Sequence, residues 1–332
     1  MKEKKVYLDL LRVLAILMVF HFHFVLALGD GQGMLVKYAS GDWGCVGTTL
    51  FFLISGNCLA RNYGEKLNVK KFYAKRFLAI FPAFYICYLL VWFGHTAVLQ
   101  NHVLGGVEPW RMIFTLLGID NYMNFYGIRN AALVGEWYTA VILMIYLLFP
   151  ALQFLYRKNK ALGTTLVLTL YGANLAFGKG MVPADAHVLT GICMFWLGMM
   201  IYHFEKELEN MSWIVWTALV ILGTVFLFIT VPGPQLMWKN AMAICIFLVL
   251  MRLGKYLNKE NKIIGFLGKI EFAVYLCHHS VMYVMRDSLP KVLPHLNIVV
   301  SYVLCLAATI VFATLITYLT KWVLKKFKIF QN

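Results

Sequence analysis

The stretch MKEKKVYLDLLRVLAILMVFHFHF, residues 1–24, decides how the chain is read. Lys2, Lys4 and Lys5 lead into a run apolar enough for a bilayer, yet that run carries Asp9, Arg12, His21 and His23. A basic start followed by an apolar run mimics a secretory signal. The ionisable residues inside the run, and the further apolar segments after it, mark it instead as an uncleaved first transmembrane helix. Ionisable side chains at membrane depth are costly unless they meet a partner or a cavity, so they are the first candidates for function.

Working outward, 61% of the 332 residues are hydrophobic and 14% are charged. Soluble domains run at about 45–50% apolar and about 25% charged, so this is a polytopic membrane protein. Ten segments have the length and character of spans: 7–28, 43–60, 76–99, 133–156, 161–178, 186–203, 212–231, 236–253, 263–285 and 296–323. No polar stretch is long enough for a soluble module, roughly 50 residues. The expected fold is an all-α polytopic helix bundle, a single membrane-embedded domain over 1–332 with no appended soluble domain. The segment WRMIFTLLGI, residues 110–119, is too short to cross and reads as a re-entrant or interfacial helix.

The net charge of +15 reports orientation. With the N-terminus inside, the segments 1–6, 61–75, 157–160, 204–211, 254–262 and 324–332, with their boundary residues, hold most of the Lys and Arg. This asymmetry predicts a multi-pass protein of the cell membrane with both termini cytoplasmic. Its partner is membrane lipid, and no nucleic-acid partner is expected. The seven cysteines lie in or beside the spans, without a CxxC or Cys/His spacing. They read as small apolar packing residues, and no metal is expected.

Helical geometry sorts the polar residues of the first span. Arg12 to His23 is eleven steps, about 1100°, which leaves about 20° after three turns, so the two share a face. Arg12 to His21 is about 900°, which puts His21 opposite. Asp9 lies one turn before Arg12, within pairing reach. In the ninth span Glu271, Tyr275 and His278 recur at spacings of four and three and share one face. That span runs from inside to outside, so His278 lies at a depth similar to His23 and Glu271 nearer the cytoplasm. Glu136 and Trp137 stand at the outer interface, where tryptophan anchors a belt or offers a stacking surface to an acceptor. Lys71, Lys75 and Arg76 mark topology, attract anionic lipid or meet phosphates. Ser55 and Gly56 suit close helix packing as well as a site.

In this order the motifs resemble acyltransferase family 3. These integral membrane enzymes move an acyl group, often acetyl from acetyl-coenzyme A, onto surface polysaccharides and related acceptors. Arg12 and His23, with ten residues between them, match the pattern of the family's first helix. FFLISGNCLA supplies Phe51, Phe52, Ser55 and Gly56 at the Phe-Phe-x-x-Ser-Gly positions, and FYAKRFLAIFPAFY resembles the basic entry to the third span. EWYTAVILMIYLLFP places Trp137, Tyr146 and Pro150 at family spacing, and Tyr275, Leu276 and His278 match Tyr-Leu-x-His. Three positions depart: Ala79 stands where many members have the second arginine of Arg-x-x-Arg, Ile142 where an acid is frequent, and Glu271 where serine is common.

The resemblance implies an O-acyltransferase working across the membrane, with acetyl-CoA as acyl donor and a glycan or other hydroxyl-bearing acceptor. It assigns Arg12, Ser55, Lys71, Lys75 and Arg76 to the donor, and Glu136, Trp137 and Tyr275 to the acceptor. His23 is the general base or a transiently acylated nucleophile, with His278 and Glu271 completing the catalytic set. The alternative is a membrane carrier of a small polar molecule built on the same fold. Carriers often show repeats with broken helices in matching positions, and this sequence shows no such symmetry.

Overall fold

The computed structural model describes residues 5–28, 42–98, 107–135, 137–178, 180–228, 234–254, 256, 261–292 and 296–327. Among the described residues, ten helices of 16 to 31 residues fall where the ten apolar segments lie. They are α1 (Val6–Leu28), α2 (Trp43–Tyr63), α3 (Val69–Phe93), α4 (Trp137–Lys158), α5 (Lys160–Phe177), α6 (Val188–His203), α7 (Trp213–Phe228), α8 (Gln235–Gly254), α9 (Lys262–Val292) and α10 (Ile298–Lys326). No strand occurs among the described residues. This is what lipid demands, because a spanning backbone without water must satisfy its own N–H and C=O groups. Six of the helices (α1, α2, α3, α4, α8 and α10) are long and apolar enough to cross a membrane. The bundle is all-α and polytopic.

Several boundaries differ from the sequence expectation, two of them informatively. The sequence counts 61–75 as an inside segment and begins the third span at 76, yet α2 continues to Tyr63 and α3 begins at Val69. The reason is an amphipathic start, in which Phe72 is fully buried while Lys71 and Lys75 on the same turns are exposed. The helix expected over 110–119 is a 3₁₀ turn at Pro109–Arg111 followed by a helix at Met112–Leu116. It stops there because Gly118 takes φ +68°, a left-handed conformation that glycine adopts without a Cβ penalty. Trp110, Ile113, Leu116 and Leu117 are exposed, as an interfacial segment requires.

The chain divides into two compact units. The first comprises residues 1–25, 30–68 and 141–269; the second comprises 26–29, 69–140 and 270–332. In the first unit α2 and α6 form the most intimate pair. A Cβ on Gly56 would collide with the Phe195 carbonyl, and one on Gly198 with the Leu53 carbonyl, so the two backbones touch. Around this seam Leu50, Phe52, Leu53, Phe195 and Trp196 are fully buried. A polar tie crosses the same unit: Thr49 donates to Asn240 at 2.8 Å and Asn240 donates to the Tyr171 hydroxyl at 2.8 Å. In the second unit α3 pairs with α10.

Candidate functional site

In the first unit α1 presents Arg12 and His23. The Arg12 guanidinium pairs with Asp9 at 2.8 Å, as the spacing predicts, and its other arm donates to Cys58 Sγ of α2 at 3.3 Å. Ser55 lies one turn before Cys58, so Arg12 reaches the helix that carries the Phe-Phe-x-x-Ser-Gly segment. His23 Nδ1 lies 3.0 Å from the Val19 carbonyl one turn back. A carbonyl oxygen only accepts, so Nδ1 carries the proton and Nε2 the lone pair. That tautomer suits a base. His21 and His23 are both half-buried.

In the second unit α9 presents Glu271, Tyr275 and His278. Glu271 is half-buried, Tyr275 is 2% exposed and His278 is fully buried. His278 Nδ1 lies 2.7 Å from the Tyr275 carbonyl, which selects the same tautomer as in His23. Aromatic rings lead up to it. Trp137 meets Tyr138 edge-on at 6.5 Å, Tyr138 meets Tyr275 edge-on at 5.6 Å, and Tyr275 lies 6.0 Å from His278. The His279 ring sits 4.4 Å from that of His278.

The segment 107–135 braces this face of α9. Gly135 N–H donates to the Leu276 carbonyl at 3.1 Å, and Ser280 donates to the Leu133 carbonyl at 3.1 Å. Thr139 donates to the Tyr275 hydroxyl at 3.3 Å. Gly135 holds φ +70° with Leu276 and Tyr275 close by, so a side chain there would be strained. The segment is itself tied down, because Asn121 donates to the Val134 and Gly135 carbonyls and Tyr88 donates to that of Ala131. At its centre Asp120 is 2% exposed and accepts from Thr115 at 3.1 Å and from Asn121 N–H at 2.9 Å. Burial pushes its carboxyl up to about 7, and those two donors only partly offset the loss of solvent.

Of the residues assigned to the donor, Lys71 and Lys75 are exposed at the start of α3. Arg76 is half-buried with its guanidinium 6.0 Å over the Phe72 ring. Glu136 lies outside the described residues. The structure therefore links Arg12 to the α2 helix of Ser55, and links Trp137 and Tyr275 to His278.

Sequence reasoning missed several partners. Tyr138, Thr139 and Ser280 hold the α9 face, and their signal was adjacency to Trp137 and to the Tyr-Leu-x-His run. By sequence Arg61 reads as a topology charge, a lipid contact or a contact for the coenzyme's phosphates, yet it pairs with Glu205 at 2.8 Å, each side chain being 12% exposed. Tyr7 donates to the same Glu205 oxygen at 3.0 Å. Glu205 escaped notice because the positive-inside rule weighs Lys and Arg and passes over acids.

Comparison with known proteins bears on this arrangement. The sequence model of acyltransferase family 3, described as "Acyltransferase domain", matches residues 5–318. Nodulation protein 10 of Rhizobium leguminosarum bv. viciae is 31% identical over 183 residues, 48% of this chain and 47% of that protein. Peptidoglycan O-acetyltransferase OatA of Listeria monocytogenes serovar 1/2a is 26% identical over 169 residues, 46% of this chain and 24% of that protein. The chain thus matches about half the length of the first relative and about a quarter of the second. No solved structure matches.

Proposed function

Because the chain belongs to acyltransferase family 3, we propose that it is a membrane O-acyltransferase that moves an acyl group, acetyl in the simplest case, from cytoplasmic acyl-coenzyme A to a hydroxyl of a cell-envelope or capsular glycan. The whole of 1–332 acts as one membrane-embedded domain of the cell membrane, with both termini cytoplasmic. The observation that carries the reading is the pair of membrane-helix histidines, His23 and His278. Each has Nδ1 tied to a carbonyl of its own helix, leaving Nε2 as the basic nitrogen. The name of the Listeria relative, a peptidoglycan O-acetyltransferase, supports the choice of a glycan hydroxyl.

In this reading His23 Nε2 takes the proton of the acceptor hydroxyl as its oxygen attacks the thioester carbonyl carbon. The carbon–sulfur bond then breaks, and the proton on His23 passes to the departing thiolate. In the covalent variant Nε2 itself attacks the thioester carbon and the carbon–sulfur bond breaks to release the thiolate. The hydroxyl oxygen then takes the acyl carbon as the nitrogen–acyl bond breaks, and the hydroxyl proton ends on the thiolate. Arg12, held by Asp9, faces the donor's negative charge with Ser55, Lys71, Lys75 and Arg76. Trp137 offers a ring face to a sugar with the buried Tyr275 backing that wall, Glu136 is assigned to the same acceptor, and His278 and Glu271 orient it.

The test is acetyl transfer by purified protein in proteoliposomes, following thiol release from acetyl-coenzyme A and glycan O-acetyl content. Both are expected to rise together and to fall in His23→Ala at matched protein levels. Coenzyme turnover that proceeds equally in His23→Ala, or glycans whose O-acetyl content is the same in cells with and without the protein, would overturn the reading.

A further inference from the structure

We propose that the first unit holds a site for a phosphate-bearing nucleotide, in a cavity of about 600 Å³ at the helix ends that carry Arg61, Arg157 and Lys160. The C-termini of α2, α4 and α6, the start of α5 and the short helix Glu205–Glu209 enclose it. All these lie on the side predicted to be cytoplasmic.

The chemistry of the walls selects the occupant. Four cations line the cavity, Arg61, Arg157, Lys160 and Lys206, against Glu65, Glu205 and Glu207. Arg61 and Glu205 neutralise each other at 2.8 Å, and the Tyr7 hydroxyl also serves Glu205, so this clamp is satisfied within the wall. Arg157, Lys160 and Lys206 then outnumber Glu65 and Glu207, which leaves the remaining charge positive and suited to phosphate. The walls are also aromatic. Tyr156, Tyr202 and His203 line the space, Lys160 Nζ sits 4.9 Å over the Tyr156 ring, and Arg61 lies 4.8 Å over Tyr202. Rings backed by cations suit a flat, electron-rich base better than a lipid headgroup, which has no ring to stack. The volume is several times that of a phosphate group and accommodates a nucleotide.

This inference rests on the acyltransferase reading only for the source of the nucleotide, which is the adenosine bisphosphate end of the coenzyme. The probe is adenosine 3′,5′-bisphosphate, titrated by calorimetry against the full chain in nanodiscs of zwitterionic lipid. Parallel nanodiscs contain anionic phospholipid. The variant is Arg157→Ala/Lys160→Ala/Lys206→Ala, which leaves the Arg61–Glu205 clamp intact; its thermal midpoint is read to verify folding. Lys160→Ala alone is the second variant if the triple one fails to fold. The expected result is at least a tenfold loss of bisphosphate affinity in the triple variant and a smaller loss in the single one, in both lipids. Unchanged affinity in a folded variant overturns the site. Bisphosphate binding abolished by anionic phospholipid in the parent protein assigns the cavity to a lipid headgroup and also overturns it. Binding lost in the variant, with no acetyl transfer by the parent, supports the site and sinks the acyltransferase reading. Acetyl transfer with a variant that binds normally does the reverse.

Discussion

His23 and His278 are held by one device in two different settings. Each imidazole is locked to a carbonyl of its own helix, at 3.0 Å in α1 and 2.7 Å in α9. His23 is half-buried on a helix whose other polar residues the sequence already announces. His278 is fully buried among aromatic rings and braced by the 107–135 segment. A half-buried base retains access to a proton donor and acceptor, whereas a buried one is defined by what presses against it. In the proposed function this contrast fits chemistry at His23 and orientation at His278.

The largest expected effect tests that assignment. His23→Ala should lower acetyl transfer by about 10²–10⁴-fold, the usual worth of a general base, with donor binding retained. His278→Ala should fall between that and the parent, and His21→Ala should keep most activity. Near-normal turnover in His23→Ala with a dead His278→Ala would reverse the roles.

The next effect contrasts how the two settings are built. In the first unit Gly56→Ala forces a Cβ into the Phe195 backbone, which cannot swing aside. It should cost about 3 kcal/mol, the upper part of the overpacking range, read as a lowered thermal midpoint in detergent. Around His278 the bracing is by hydrogen bonds, and Ser280→Ala should cost only about 1 kcal/mol. Equal costs would show that the two faces are held alike.

The bracing segment also carries a pH signature. The Asp120 carboxyl sits at about 7 when folded, above the ~3.9 of an unfolded chain. Between those values the folded segment keeps a proton that the unfolded one has released. Its stability is therefore fully present below about pH 4 and falls as pH rises toward 7, by at most ~1.4 kcal/mol per unit. Amide exchange of residues 107–135 should quicken over that window beyond its intrinsic pH dependence, and Asp120→Asn should flatten the excess. An excess that persists in Asp120→Asn would place the titrating group elsewhere.

The smallest effect concerns the exposed cations of α3. Lys71→Gln/Lys75→Gln/Arg76→Gln should weaken acetyl-coenzyme A binding a few-fold at low salt and less at high salt, because exposed charges contribute roughly 0.2–1 kcal/mol each and are screened. A loss that salt does not reduce would mean that Arg76, half-buried beside Phe72, makes a desolvated contact.

Particular residues show what the sequence by itself determined. The ten apolar segments became ten helices because a backbone in lipid has little other choice. Asp9 paired with Arg12 because three residues along a helix set that distance before any other helix is present. The short helix after Pro109 was legible, and so was its apolar character. The same local rules began the third span at 76 where α3 starts at Val69, since Phe72 counts as buried only once a neighbour covers it. Only the tertiary structure decided that Arg12 meets Cys58, that Tyr138 and Thr139 stand against Tyr275, and that Arg61 finds Glu205 144 residues away. Helical periodicity gives the angle of a side chain about its own axis. Which neighbour occupies that angle depends on where the helices approach, at Gly56 and Gly198, and on how Gly135 turns a loop onto α9. Those approaches are set by backbone contacts between distant parts of the chain, which no local spacing encodes.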